Sequence, residues 1–275
     1  MKARIVTGLL LAVALVALLY QPYDIFLFLV SASMACWGYI EFDTLFFNEA
    51  NTSRRIRLCV LISLAIWTLA NAQMFSWLVV WLPLFLLSFR QVIFANRDGN
   101  TEWAVKELAY ELMGFYYILS LFGFLVPIAE TGAYGRSYLL LLFLTVFVGD
   151  VSAFFVGRRW GKHTLAAQIS PRKSVEGAIG AVIGAVGIAW LWIHYIFPGE
   201  VTTHFQITLL TFIPVVSLLA QVGDLLESLF KRSRHFKDSG SSLPGHGGIL
   251  DRVDGLALAA PLYYFFLVFF LEKTL

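Results

Sequence analysis

Residues 205–254 read FQITLLTFIPVVSLLAQVGDLLESLFKRSRHFKDSGSSLPGHGGILDRVD. No ionisable residue occurs from Phe205 to Val222. Asp224, Glu227, Lys231, Arg232, Arg234, Lys237, Asp238, Asp251, Arg252 and Asp254 then follow, with two histidines and a Gly-rich turn among them. About 20 mostly apolar residues suffice to cross a bilayer as a helix. The stretch therefore predicts a spanning helix over 205–230, long enough to protrude, that delivers a charged loop to the membrane surface. Charge at such a place is costly, so the cluster marks a functional site.

Outward from this stretch the same alternation of oil and polar punctuation recurs. Apolar runs at 5–20, 23–40, 56–70, 75–94, 108–127, 137–156, 177–197, 205–230 and 255–271 predict nine transmembrane helices. The fold class is thus all-α, polytopic and membrane-integral. It is read as a single membrane-embedded domain over 1–275, with N-terminal helices in 1–140 and catalytic helices and loops in 141–275. The opening MKAR and its apolar run look like a signal peptide, but LLYQPYD after it offers no small-x-small cleavage site, so a retained helix is expected.

Composition agrees. The 275 residues are 59% hydrophobic and 14% charged, with mean hydropathy +0.76, whereas soluble domains are about 25% charged. A net charge of +2 argues against a nucleic-acid partner. Cys36 and Cys59 lie in apolar runs and read as small core or lipid-facing residues. With the N-terminus in the cytoplasm and nine spans, seventeen of the twenty lysines and arginines fall inside. Arg90 can snorkel there, leaving Arg136 and Lys273 outside. This positive-inside bias places the C-terminus outside and the loops 157–176 and 231–254 in the cytoplasm.

Within the loops, residue types suggest chemistry. Glu227, Ser228 and Lys231 lie at i+3, i+4 and i+7 from Asp224, on one helical face. Carboxylates interleaved with cations suit a site holding a divalent metal and polyphosphate together, because magnesium takes one or two protein carboxylates plus phosphates and waters. The plainer alternative is a charge pair, Asp224 or Glu227 with Lys231. Gly245, Gly247 and Gly248 permit positive φ and exposed N–H groups that can bind an anion. Asp251 could equally cap the following helix. Asp150 sits inside a span, where an acid is seldom without purpose. Lys173 lies near the start of the next helix, whose N-terminus favours anions. The glycines at 177, 180, 184 and 187 suit close helix packing, within the chain or in a homodimer.

From Ser228 the chain reads S-L-F-K-R, four residues, K-D-S-G, two residues, L-P-G-H-G-G-I-L-D-R-V-D. Across these 27 positions it resembles the signature of the phosphatidate cytidylyltransferases, or CDP-diacylglycerol synthases. GDLLES before it, DVSAFFVGRRWGK from Asp150 and SPRKSVEG from Ser170 resemble the family too; Val151–Ser152 departs modestly from it. The resemblance is specific over 150–254 and generic before that.

The resemblance implies that CTP and phosphatidic acid in the bilayer give CDP-diacylglycerol and pyrophosphate at the cytoplasmic face of the inner membrane. It implies Mg2+, with room for a second cation. On this reading Asp224 and Asp251 ligate magnesium, and Lys231, Lys237 and Asp238 complete the catalytic group. Ser170, Lys173, Arg232, His246, Gly247, Gly248, Arg252, Asp254 and Asp150 hold or shape the substrates. An ion-coupled transporter and another CTP-dependent lipid-modifying enzyme are the alternatives. Against them stand the absence of inverted repeats in the sequence, and a nearest DGxxAR-like string, DGLALAA, that lacks the arginine.

Overall fold

The computed structural model describes residues 24–47, 50–71, 76–197, 202–240, 242 and 247–271. The expected first span, together with Lys2, Arg4, His246 and Lys273, lies outside the described residues. Each of the other eight expected spans is helical. The helices are α1 (Asp24–Phe46), α2 (Thr52–Asn71), α3 (Ser76–Asp98), α4 (Thr101–Phe122), a short α5 (Leu125–Glu130), α6 (Gly135–Trp160), α7 (Val175–Leu191), α8 (Thr203–Ser233), the single turn α9 (Leu250–Val253) and α10 (Leu256–Leu271).

Five described segments are long and apolar enough to cross a membrane: Asp24–Phe46, Thr101–Glu130, Gly135–Trp160, Val175–Ile196 and Thr203–Ser233. Leu256–Phe270 is apolar but shorter. The chain is therefore an all-α protein of membrane type. The departure from pure helix is an antiparallel hairpin, β1 (Thr164–Ala166) with β2 (Ser170–Ser174), in what the sequence presents as a polar loop.

The chain divides into two compact units, 23–127 and 128–275. In the first, α1–α4 pack around Tyr39, Phe42, Phe115 and Phe122, all fully buried. The unit also buries ions. Asp43 accepts from Arg54 Nε and Arg55 Nε, each at 2.6 Å. Glu111 is held by Arg57 and by Arg90 Nη1 at 3.3 Å. Such groups survive burial because every charge has a partner. Cys36 and Cys59 are free, half-buried thiols where α1 meets α2, each pointing at the other's backbone carbonyl at 3.9 and 3.8 Å.

The second unit carries the motifs. Its helices begin where side chains can cap them. Ser174 Oγ accepts from Gly177 N at 3.1 Å to open α7, and Thr202 Oγ1 accepts from Phe205 N at 3.3 Å to open α8. Gly177, Gly180 and Gly184 of α7 pack against α6. A Cβ at Gly180 would meet Val156 at 2.6 Å, and one at Gly184 would strike Ser152. That is the within-chain alternative for this stripe. Phe212 of α8 stacks on Phe266 of α10 at 4.0 Å between centroids. Large side chains such as Val151, Phe155, Ile183, Leu218 and Phe269 point outward, as helices bathed in lipid require.

Candidate active site

The site grows from one stripe of α8. Leu209, Ile213, Val216, Ala220 and Gly223 form its buried face, and the same face continues into Glu227 and Lys231. Packing thus turns from apolar to ionic without the helix rotating. With 31 residues, α8 is about 46 Å long at 1.5 Å per residue, well beyond the roughly 30 Å hydrocarbon core. Its charged end projects from that core. Here Lys231 Nζ donates to Asp251 Oδ1 at 2.6 Å and lies 3.1 Å from Glu227 Oε2. Of the two charge pairs the spacing allows, the i,i+4 pair forms, while Asp224 pairs with Lys173 from β2.

Asp251 is the knot of the following loop. Its Oδ2 accepts from Gly248 N at 2.8 Å, Ser239 N at 3.0 Å and Ser239 Oγ at 3.1 Å. These bonds tie the chain on both sides of the turn, so the carboxylate fastens a loop and caps no helix. Burial pushes the Asp251 carboxyl up, but the Lys231 ammonium and the Gly248 and Ser239 N–H groups outweigh it. The carboxyl is held below the usual carboxylate range. Gly247 makes the approach possible. It adopts φ +81°, and a Cβ there would sit 2.7 Å from Asp251 Oδ2. Asp254 behaves oppositely. Burial, then the carboxylates of Asp224 and Glu227, push it well above the ordinary value.

Lys173 arrives by way of the hairpin. Val175 N donates to His163 O at 2.9 Å at its base. Glu176, in the first turn of α7, accepts from Lys162 N at 3.0 Å and His163 N at 3.3 Å and bonds His163 Nδ1 at 2.6 Å. Glycine at 157 leaves room for the Ser174 hydroxyl, which a Cβ would meet at 3.0 Å. Pro171 is tolerated because a two-stranded ribbon consists only of edges.

These elements enclose a cleft of about 780 Å³. Of the residues expected from sequence, it gathers Asp150, Lys173, Asp224, Lys231, Asp238, Asp251, Arg252 and Asp254. Gly247 and Gly248 support it through Asp251. Ser170, Arg232 and Lys237 do not line it. The chain leaves α8 through a tight turn with His235 at φ +62°, and Phe236 N returns to Lys231 O at 2.8 Å. Arg232 Nη1 is spent on Phe236 O at 3.0 Å, and Lys237 is exposed. The cleft also contains residues absent from the expected set, notably Phe154, Arg158, Arg172 and Gln221. The periodicity of α6 holds the missed signal, because Asp150, Ala153, Phe154, Gly157 and Arg158 fall at i, i+3, i+4, i+7 and i+8.

Among the described residues no three His, Cys, Asp or Glu side chains converge as a metal cage. What converges is an alternation of carboxylates and ammonium groups beside apolar side chains. A model of the cytidylyltransferase family matches residues 2–270. The chain belongs to this family. Among curated members, the phosphatidate cytidylyltransferase of Thermotoga maritima is 32% identical over 268 residues, covering 96% of this chain and 95% of the relative. That of Haemophilus influenzae is 41% identical over 139 residues, covering 50% and 48%. The Bacillus subtilis enzyme is 34% identical over 178 residues, covering 62% of each. The family model reaches beyond the motif-bearing second unit to include α1–α4, where the sequence resemblance was generic.

Proposed function

We propose that the chain catalyses CTP + phosphatidate → CDP-diacylglycerol + pyrophosphate, supplying an activated lipid for phospholipid synthesis. A phosphate oxygen of the lipid attacks the α-phosphorus of CTP. The bond from that phosphorus to the β-bridging oxygen breaks, and pyrophosphate departs with the electron pair. Such transfers need positioning and charge neutralisation more than a protein nucleophile. The observation that carries the reading is the cleft itself, in which lysine-paired aspartates share one space with apolar walls.

The residues fit a magnesium ion that arrives with the nucleotide. Magnesium usually keeps waters and substrate phosphates as ligands and takes only one or two carboxylates. A cleft with several acids, and among the described residues no cage of three, has that donor set. Asp224 and Asp251 would hold the ion, which when bound neutralises nucleotide phosphates. Lys173 and Lys231 are already within reach of these two carboxylates and would turn to phosphate oxygens when substrate enters. Arg252 adds a further cation at the rim, and Asp238 and Asp254 line the same space, where they would orient the cations or hold a second metal ion. Gly247, Gly248 and Ser239 keep Asp251 aimed. Asp150 supports the floor, one face of α6 below Arg158.

The wider setting belongs to the same proposal. Nine spans, a cytoplasmic N-terminus and a cytoplasmic cleft follow from the distribution of basic residues, and a bacterial cytoplasmic membrane from the chemistry. Phosphatidate reaches the cleft laterally, with its acyl chains remaining in the bilayer. A homodimer would have to use a face other than Gly180 and Gly184, which Val156 and Ser152 occupy. A transporter reading loses support from Glu111. That acid has the look of an ion-pathway residue but is locked between Arg57 and Arg90.

The test is direct. Purified protein supplied with labelled CTP, phosphatidate and Mg2+ should release both CDP-diacylglycerol and pyrophosphate; formation of neither refutes the proposal. Asp224→Asn and Asp251→Asn should each abolish turnover with the protein still in the membrane. Lys162→Ala should cost less, because only its backbone N–H holds the hairpin.

A further inference from the structure

Arg252 at the rim aside, the cleft's cations are of two kinds. Lys173 and Lys231 are paired with Asp224, Asp251 and Glu227. Arg158 and Arg172 line the same cleft without a carboxylate partner among the described residues. An arginine with nothing to neutralise it is the group readiest to take a phosphate, and its planar fork binds two oxygens at once.

The neighbours of Arg158 decide which phosphate. Phe154 lies one turn earlier on the same face of α6, about 6 Å along the axis at 1.5 Å per residue. It is 59% exposed and also lines the cleft. Ala153, Leu165 and Ala178 continue this apolar wall. Apart from Asp150, about two turns before Arg158 on α6, the acids of the cleft come from α8 and from the stretch between Asp238 and Asp254. The α6 side of the cleft therefore offers an unpaired guanidinium group beside an exposed apolar side chain, with a second guanidinium from β2. The other side offers carboxylates interleaved with lysines. A phosphate monoester carrying acyl chains matches the first side, and a polyphosphate accompanied by a cation matches the second.

We infer that Arg158 and Arg172 bind the phosphate of the lipid substrate, with Phe154 as the shelf for its acyl chain. This rests on the proposed reaction and divides its site between the two substrates. Arg158 projects from the last turn of α6. Arg172 comes from β2, next to Lys173. The same strand thus sets the lipid phosphate beside the lysine that faces Asp224.

The experiment is a pair of saturation curves in mixed micelles of zwitterionic detergent, one varying the mole fraction of phosphatidate and the other varying CTP. Arg158→Ala and Arg172→Ala should each raise KM for phosphatidate about tenfold, as loss of a charge-assisted hydrogen bond implies, and leave KM for CTP within about twofold. Arg159→Ala is the control, since it removes the same charge from the same helix end at a residue that does not line the cleft. An equal effect there would mean attraction to the micelle surface and overturn the inference. So would a rise in KM for CTP alone, or unchanged constants in both arginine variants. Phe154→Ala should harm dioleoyl phosphatidate more than a dihexanoyl analogue; equal losses refute the shelf. Wild-type turnover with inactive Asp251→Asn but normal arginine variants would leave the reaction standing and remove only this assignment.

Discussion

Gly223→Ala adds one methyl group and changes no charge, yet it should nearly silence the site. Gly223 lies on the buried stripe of α8, directly before Asp224. A Cβ there would stand 2.6 Å from the Asp254 carbonyl oxygen, and ordinary contact begins near 3.4 Å. The shortfall is about 0.8 Å, and it is backbone that must yield. Overpacking of this kind costs about 1–3 kcal/mol. The functional cost is larger, because the shift separates α8, carrying Asp224 and Lys231, from the segment carrying Asp251 and Asp254. A misplacement of about 1 Å in a preorganised site costs on the order of 10²-fold in rate. The matched control is Gly187→Ala in α7, where a Cβ would meet nothing within 4 Å. It should be neutral or slightly stabilising, by up to about 1 kcal/mol of helix propensity. The assay is CDP-diacylglycerol formation per mole of monodisperse protein, alongside a melting curve. Gly223→Ala with activity within threefold of wild type would refute the claim that this approach sets the site.

Three further outcomes are expected. Glu176→Ala should lower kcat about tenfold by loosening the hairpin that presents Lys173, and it should add nothing in a Lys173→Ala background; an additive loss would mean general damage. Asp254→Asn should raise the melting temperature of the ligand-free protein at pH 8 while impairing turnover. Because the folded carboxyl is raised above its unfolded value of about 3.9, ionisation opposes folding as pH rises past that value, and the gain should vanish near pH 4; a gain independent of pH would contradict this. Asp43→Ala should destabilise the first unit by about 3 kcal/mol, leaving the buried Arg54 to Glu107, 3.8 Å away, as read by thermal unfolding.

The sequence displays its helices because lipid imposes a blunt rule, and the runs from Tyr23 onward obey it. Eight expected spans are helices in place, with ends moved by a few residues where caps such as Thr202 and Ser174 lie outside the apolar run. The acids of the site were legible through the spacing of the loop around Asp251. The pairing of Lys173 with Asp224 was not, since it joins segments 51 residues apart and no local period encodes it. The hairpin escaped because strands of three and five residues, one containing Pro171, carry too few alternations to stand out. Arg232 and Lys237 looked equivalent to Lys231 in a string of cations. Only the reversal at His235 separates them from the cleft. Arg158 was hidden differently, since its meaning depends on Phe154 one turn below it.

The two lysine–aspartate pairs give the resting cleft a further property. Each pair is an internal salt, already dehydrated on one side, and Glu227 stands beside the Lys231 pair. An anion that captures Lys173 or Lys231 strands a carboxylate, and a cation that captures Asp224 or Asp251 strands an ammonium group. Neither entrant is welcome alone, because each leaves behind an uncompensated charge of its own sign. The two together exchange partners with the salt and leave nothing stranded. The part of the cleft that holds these pairs should therefore behave as an ion exchanger rather than as a basin of positive potential, unlike the part that holds Arg158 and Arg172. It would be indifferent to the free inorganic phosphate and bare nucleotide that crowd a cell, and receptive to the metal–nucleotide pair.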